Sequence, residues 1–286
     1  MKIWKKIFFL LVFLNSLDVY SSYVNKVTYA AWKKPDVDLY YVLPSKINKD
    51  TKVLFIIHGA SRNVERYLNV WIDESKNKNV ILVAPHFKKN DFKYYSTLGM
   101  ARHSGSIIKD RQNWLDGSIS NFFTYFKNKF VLSSDQYLIY GFSGGSQFVH
   151  RYLIFGVDDR IEKASIGSAG WYTFINDSPY PYGLNGVDVK NQKIEWMLSR
   201  EVLFLLGEND TDPNHSLLNK SPGSIKQGLN RYERGVSYFD HLVKLADNYQ
   251  VPLRWRYKLI LDSDHDMEAI SQPAIKFLLD DLEYQY

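Results

Sequence analysis

Seven short runs of apolar, strand-forming residues recur along this chain, and segments with helical periodicity lie between most of them. The runs are "DLYYVLP" (38–44), "KVLFIIHG" (52–59), "NVILVAPHF" (79–87), "QYLIYG" (136–141), "KASIGSAG" (163–170), "EVLFLLGE" (201–208) and "LRWRYKLIL" (253–261). Several are apolar without alternation, the pattern of parallel strands buried on both faces. Among the intervening segments, Val64, Leu68, Trp71 and Ile72 share one helical face, and "DGSISNFFTYFKNKF" (116–130) opens on capping residues. "QFVHRYLIF" (147–155), "YFDHLVKLADNY" (238–249) and "EAISQPAIKFLLDDL" (268–282) complete the helical set. Such alternation predicts an α/β chain whose doubly wound, mostly parallel sheet carries helices on both faces. With no internal repeat and no low-complexity linker, one domain is expected over residues 22–286.

Composition narrows the function. Hydrophobic residues make up 45% of the 286 and aromatic residues 16%, enough for a large buried core and too much for a disordered chain. The formal charge is +5, yet no run of Lys and Arg forms a nucleic-acid footprint, so nucleic-acid binding is set aside. The chain has no cysteine, which excludes disulfides and a cysteine-linked lipid anchor. Its N-terminus carries Lys2, Lys5 and Lys6 ahead of an apolar stretch from Ile7 to about Leu14. That is the form of a secretory signal peptide, with Val19 and Ser21 at the small-residue cleavage positions and Ser22 as an alternative end. The stretch is about half the roughly 20 apolar residues a spanning helix needs. Residues 1–21 therefore read as a signal peptide, leaving a secreted or periplasmic product with no stable membrane insertion.

The chemistry centres on "GFSGGS" (141–146), directly after a strand and directly before a helix. Gly141-Phe142-Ser143-Gly144-Gly145 is a G-x-S-x-G elbow, which holds a nucleophile on a strained corner and lets neighbouring backbones approach. The pattern alone is weak, and its strand–turn–helix setting is what gives it force. A serine hydroxyl needs a base and oxyanion donors, and the chain order expected on such a sheet is Ser, then Asp or Glu, then His. Of seven histidines, His58, His86 and His103 precede the serine, His150 and His241 fall within helical patterns, and His215 lies in the acid loop. His265, in "DSDHDM" between the last strand and the last helix, is the candidate base. The acid is sought in "LFLLGENDTDPN", where Asp210 is the first candidate, Asp212 the second, and Glu208 is expected to lie too close to the strand. The loop "IIHGAS" is expected to present the Ala60 amide to the oxyanion, or failing that Ser61, with Gly144 supplying the second amide.

The acidic loops Asp210-Asp212-Asn214 and Asp262-Asp264-Asp266 are spaced like a calcium loop. The sixth positions are His215 and Met267 where Gly is wanted, and the twelfth are Ser221 and Pro273 where Glu is wanted, so no metal is expected. Trp171 and Tyr172, just past a strand end, either wall a substrate pocket or pack over the core. The interval 171–200 is too short for a large cap domain. Arg231 and Arg234 in "QGLNRYERG" read first as ion pairs on a helix surface, with pairing to the acidic loops or to an anionic substrate as the alternatives, and no role is assigned. N-x-S/T triplets begin at Asn176, Asn209, Asn214 and Asn219, and a glycan at Asn209 would crowd the acid loop.

With "HGAS", "GFSGGS", "GENDTD" and "DSDHD" in this order over about residues 55–270, the chain resembles the α/β-hydrolase superfamily. More narrowly it is similar to secreted esterases of the feruloyl esterase and polyhydroxyalkanoate depolymerase group, although it lacks the cysteines of the disulfide-bearing members. The resemblance implies a small or absent cap, Ser143, Asp210 and His265 as a catalytic triad, and a small-molecule or polymeric ester as substrate. It implies no cofactor. An acyltransferase or peptidase would use the same triad, and a non-catalytic binding protein on a decayed fold would ordinarily lack one of its members.

Overall fold

The computed structural model describes residues 24–102 and 104–282. The signal-peptide reading of residues 1–21 and His103 lie outside the described residues. Eight strands form one sheet: β1 (Asn25–Tyr29), β2 (Val37–Val42), β3 (Lys52–Ile57), β4 (Val80–His86), β5 (Tyr137–Phe142), β6 (Ile161–Gly167), β7 (Glu201–Gly207) and β8 (Trp255–Ile260). Their spatial order is β1-β2-β4-β3-β5-β6-β7-β8. The two pairings at the start of the sheet, β1 with β2 and β2 with β4, are antiparallel, and β3 to β8 run parallel.

The helices are α1 (Val64–Ser75), α2 (Ser118–Phe130), α3 (Gly144–Phe155), α4 (Asn191–Leu198), the single turn α5 (Pro222–Ile225), α6 (Arg231–Tyr249) and α7 (Met267–Leu279). The continuous apolar runs divide residue by residue between two cores. In β3, Val53, Phe55 and Ile57 join the core beneath α2, α3, α4 and α6, whereas Leu54 and Ile56 join the core beneath α1 and α7. Along β7, Val202, Phe204 and Leu206 face the first core, and Leu203 and Leu205 the second. Unbroken hydrophobicity is thus the mark of strands covered on both sides.

β1, α4 and the single turn α5 lie outside the sequence reading. β1 is a half-exposed edge strand of five residues, too short and polar to stand out from a loop. α4 occupies the interval between β6 and β7, where the remainder, 168–190, is irregular apart from one isolated bridge between Pro179 and Asn185. α6 starts at Arg231, seven residues before the apolar pattern at Tyr238 suggests. Its first turn is set by Asn230, whose side-chain oxygen accepts from the Glu233 amide, while the Glu233 carboxylate accepts from the Leu229 amide and from the Asn230 side-chain NH2. Among the described residues no helix is long and apolar enough to cross a membrane.

Candidate active site

The end of β5 delivers Ser143 at a sharp corner with φ +56° and ψ −115°, a conformation L residues adopt only when the surroundings enforce it. The enforcement is close backbone contact. A Cβ at Gly145 would stand 2.0 Å from the Ile57 carbonyl oxygen, and one at Gly141 2.4 Å from the Gly145 carbonyl group. Helix α3 therefore starts pressed against β3, and the positive end of its dipole lies at the serine.

His265 bridges Ser143 and Asp210. Its Nε2 is 2.9 Å from Ser143 Oγ, and its Nδ1 is 2.7 Å from Asp210 Oδ2. The imidazole leans on the Phe142 ring, with centroids 4.7 Å apart, which limits how far it can swing. Two loops must meet for this geometry, and Gly207 is where they meet: a Cβ there would fall 2.4 Å from the Asp264 carbonyl oxygen. The Asn209 amide then donates to the Ser263 carbonyl at 2.8 Å, which registers the acid loop against the histidine loop.

The other carboxylates are used elsewhere. Glu208 accepts from the Asp262 amide at 3.0 Å, Asp212 from the Asn214 amide at 2.8 Å, and Asp266 caps α7 through the amides of Glu268 and Ala269. Within the calcium-like spacing, Asp212 and Asp266 thus serve a local turn and a helix cap.

The loop after β3 is braced from several sides. The Ala60 amide nitrogen lies 3.0 Å from where a Gly144 Cβ would stand, so the two expected oxyanion donors are neighbours. His58 is buried; its Nε2 accepts from the Phe87 amide at 3.1 Å, and burial pushes its imidazole down to about 3, so it remains neutral. The hydroxyl of Tyr95 donates to the His58 carbonyl at 2.9 Å and would lie 2.6 Å from a Gly144 Cβ. Arg62, with φ +59°, lays its guanidinium 3.9 Å over the Tyr95 ring and donates to the carbonyls of Phe87 and Phe92. Ser61 is exposed beside this turn.

Tyr172 is wholly buried, stacked on Tyr238 at 4.5 Å between centroids, and so belongs to the core. Trp171 is 6% exposed, sandwiched between the Arg151 guanidinium at 4.1 Å and the Tyr182 ring at 4.9 Å. Of the remaining histidines, His150 is buried, accepting from the Thr173 amide, and His241 accepts from the Ile175 amide. The surface reading of Arg231 and Arg234 is corrected: they are 2% and 0% exposed, because α6 begins early and turns both inward. Arg231 Nη1 donates to Asp210 Oδ1 at 3.2 Å, while Arg234 donates to the carbonyls of Gly228 and Gly170. Pairing with the acidic loops, the alternative open for Arg231, is what the structure shows, whereas nothing in the sequence singles out Tyr95 as a neighbour of the site. The Asn230–Glu233 capping pattern was the available sign that a helix starts at Arg231.

No family model and no curated protein matches this chain. Among solved structures it is similar to poly(aspartic acid) hydrolase-1 from Sphingomonas sp. KT-1, at 30% identity and TM-score 0.83, covering 89% of this chain and 98% of that one. It also shares its fold with a poly(3-hydroxybutyrate) depolymerase from Bordetella parapertussis, at 22% identity and TM-score 0.82 over 92% of each chain. An S-formylglutathione hydrolase from Staphylococcus aureus is a more distant likeness, at 15% identity and TM-score 0.57 over 90% of this chain and 98% of that one. With a doubly wound sheet, a serine at its central elbow and a 30% identical hydrolase matched along nearly its whole length, this chain belongs to the α/β-hydrolase superfamily.

Proposed function

We propose that the protein is an exported serine hydrolase that cleaves carboxylic esters through an acyl-enzyme, with Ser143, His265 and Asp210 as its triad. The observation that carries this reading is the His265 imidazole, held at 2.9 Å from Ser143 Oγ and 2.7 Å from Asp210. In the first step Ser143 Oγ attacks the acyl carbon while His265 Nε2 takes its proton and Nδ1–H donates to Asp210. The amides of Gly144 and Ala60 receive the oxyanion. His265 then protonates the leaving alcohol, and a water activated by the same nitrogen releases the acid. The substrate is a small-molecule or polymeric ester, and the chemistry needs no cofactor. Export rests on the basic and apolar residues of positions 1–21.

A second reading keeps the acyl-enzyme and changes the bond to an amide of an acidic polymer. It is favoured by the 30% identity to a poly(aspartic acid) hydrolase. Transfer of the acyl group to an alcohol or amine would use the same residues. Product analysis in water, with and without a second nucleophile, over matched ester and amide substrates separates these outcomes.

Asp210→Asn is expected to lower kcat by about 10⁴-fold, because the amide favours the wrong imidazole tautomer. Asp212→Asn should leave kcat within about twofold, since that carboxylate serves an exposed turn. Equal losses in the two variants, measured by steady-state kinetics, would remove Asp210 from the triad. Tyr95→Phe keeps the ring and deletes the bond to the His58 carbonyl. Loosening the Ala60 loop in this way should cut kcat about tenfold with little change in KM. A fall in melting temperature with kcat intact would make Tyr95 a packing residue only.

A further inference from the structure

We propose that Arg231 is a positioning residue for the triad acid, locking the Asp210 carboxylate in place so that it holds the His265 imidazole against Ser143. The inference rests on the serine-hydrolase reading and adds a fourth side chain to it. Three observations carry it. First, Arg231 and Asp210 are 2% and 4% exposed, so their 3.2 Å contact is little screened by solvent. Second, the two carboxylate oxygens have separate partners: Oδ1 takes Arg231 Nη1 and Oδ2 takes His265 Nδ1, so the carboxylate cannot rotate without breaking both. Third, Asp210 is tied to the start of α6 by backbone as well, its carbonyl accepting from the Tyr232 amide at 3.1 Å.

The second arm of the guanidinium is also fixed. Arg231 Nη2 lies 3.1 Å from His215 Nδ1, which also accepts from the Leu217 amide at 3.1 Å. An imidazole nitrogen accepting two N–H groups is unprotonated there. Burial, and then Arg231 and His265, push the His215 imidazole below its ordinary value, so it is an uncharged acceptor near neutrality. The His215 ring stands edge-on to His265, with centroids 5.8 Å apart. Asp210, Arg231, His215 and His265 thus close a ring of contacts around the base.

The groups that touch the base come from separate segments: Asp210 and His215 from the loop after β7, and Ser143 and Phe142 from the end of β5. Arg231 is the buried cation in contact with the acid. Arg231 and His265 hold the two oxygens of one carboxylate, so the orientation of the imidazole follows from that of the acid.

The test is steady-state kcat and KM on an activated ester for wild type, Arg231→Gln and Arg231→Lys, with melting temperatures and fluorophosphonate labelling of wild type alongside. Arg231→Gln loses the guanidinium fork that joins Asp210 to His215, and kcat should fall about tenfold with KM little changed. Arg231→Lys keeps the charge without the fork and should recover only part of that loss. A kcat within about twofold of wild type in folded Arg231→Gln overturns the proposal. Should that variant fail to fold, folded Arg231→Lys with kcat within about twofold of wild type overturns it equally. Wild-type protein that is folded but unlabelled would instead remove the serine-hydrolase reading itself, so the two failures are distinguishable.

Discussion

Replacing Ser143 with alanine is expected to lower kcat by about 10⁶-fold on any ester the protein turns over, with the fold unchanged. The serine sits on a corner held open by backbone contacts that do not involve its hydroxyl, so removing Oγ costs chemistry and little stability. His265→Ala should be comparably severe, because an unassisted hydroxyl at neutral pH is a poor nucleophile. The double variant should be no worse than either single one, since residues acting as a unit lose their function together. Stoichiometric labelling by a fluorophosphonate in wild type, absent in both variants, is the direct measurement. Labelling that persists in Ser143→Ala would place the reactive hydroxyl elsewhere, and turnover surviving at a tenth of wild type would exclude an acyl-enzyme at this residue.

The second large effect falls on stability. Gly145→Ala puts a methyl group 2.0 Å from the Ile57 carbonyl oxygen, 2.8 Å from its carbon and 3.0 Å from the His58 oxygen. Neither partner can yield cheaply: β3 is paired on both sides, to β4 and β5, and α3 packs on β5 and β6. Overpacking against a fixed backbone should cost about 3 kcal/mol or more. In a chain of this size that lowers the melting temperature by roughly 6–12 °C. Because the displacement also moves the loop holding Ala60, activity should fall further than stability alone explains. Gly117→Ala is the control, its added methyl meeting only side chains at 3.7 Å or more. Similar melting temperatures for the two variants would show that the elbow is more compliant than its geometry suggests.

Much of the site was legible because its parts are local. The strand–turn–helix setting of "GFSGGS" spans only a few residues around Ser143, and turn chemistry is encoded at that range. His265 followed from its place between a strand and the final helix. The choice among Glu208, Asp210 and Asp212 was less legible, because all three sit on one loop within five residues of each other. What separates them is partners far along the chain: Asp262 for Glu208, and His265 and Arg231 for Asp210. Trp171 and Tyr172 were equally open, since an aromatic residue after a strand has the same sequence signature whether it lines a pocket or fills a core. Tyr95 lies in the long irregular connection between β4 and α2, where no periodicity marks an inward-facing residue.

The sequence by itself determined the layer architecture, the elbow and the order of its chemical groups. Periodicity, glycine placement and strand ends act over stretches of about ten residues or fewer, and each is visible in a single stretch of chain. The tertiary structure alone decided that Arg231 is buried against Asp210, that Tyr172 is core, and that Tyr95 spans both halves of the expected oxyanion site. Those outcomes depend on which distant segments share a space, and burial makes a charge or hydroxyl consequential only once its neighbours are in place.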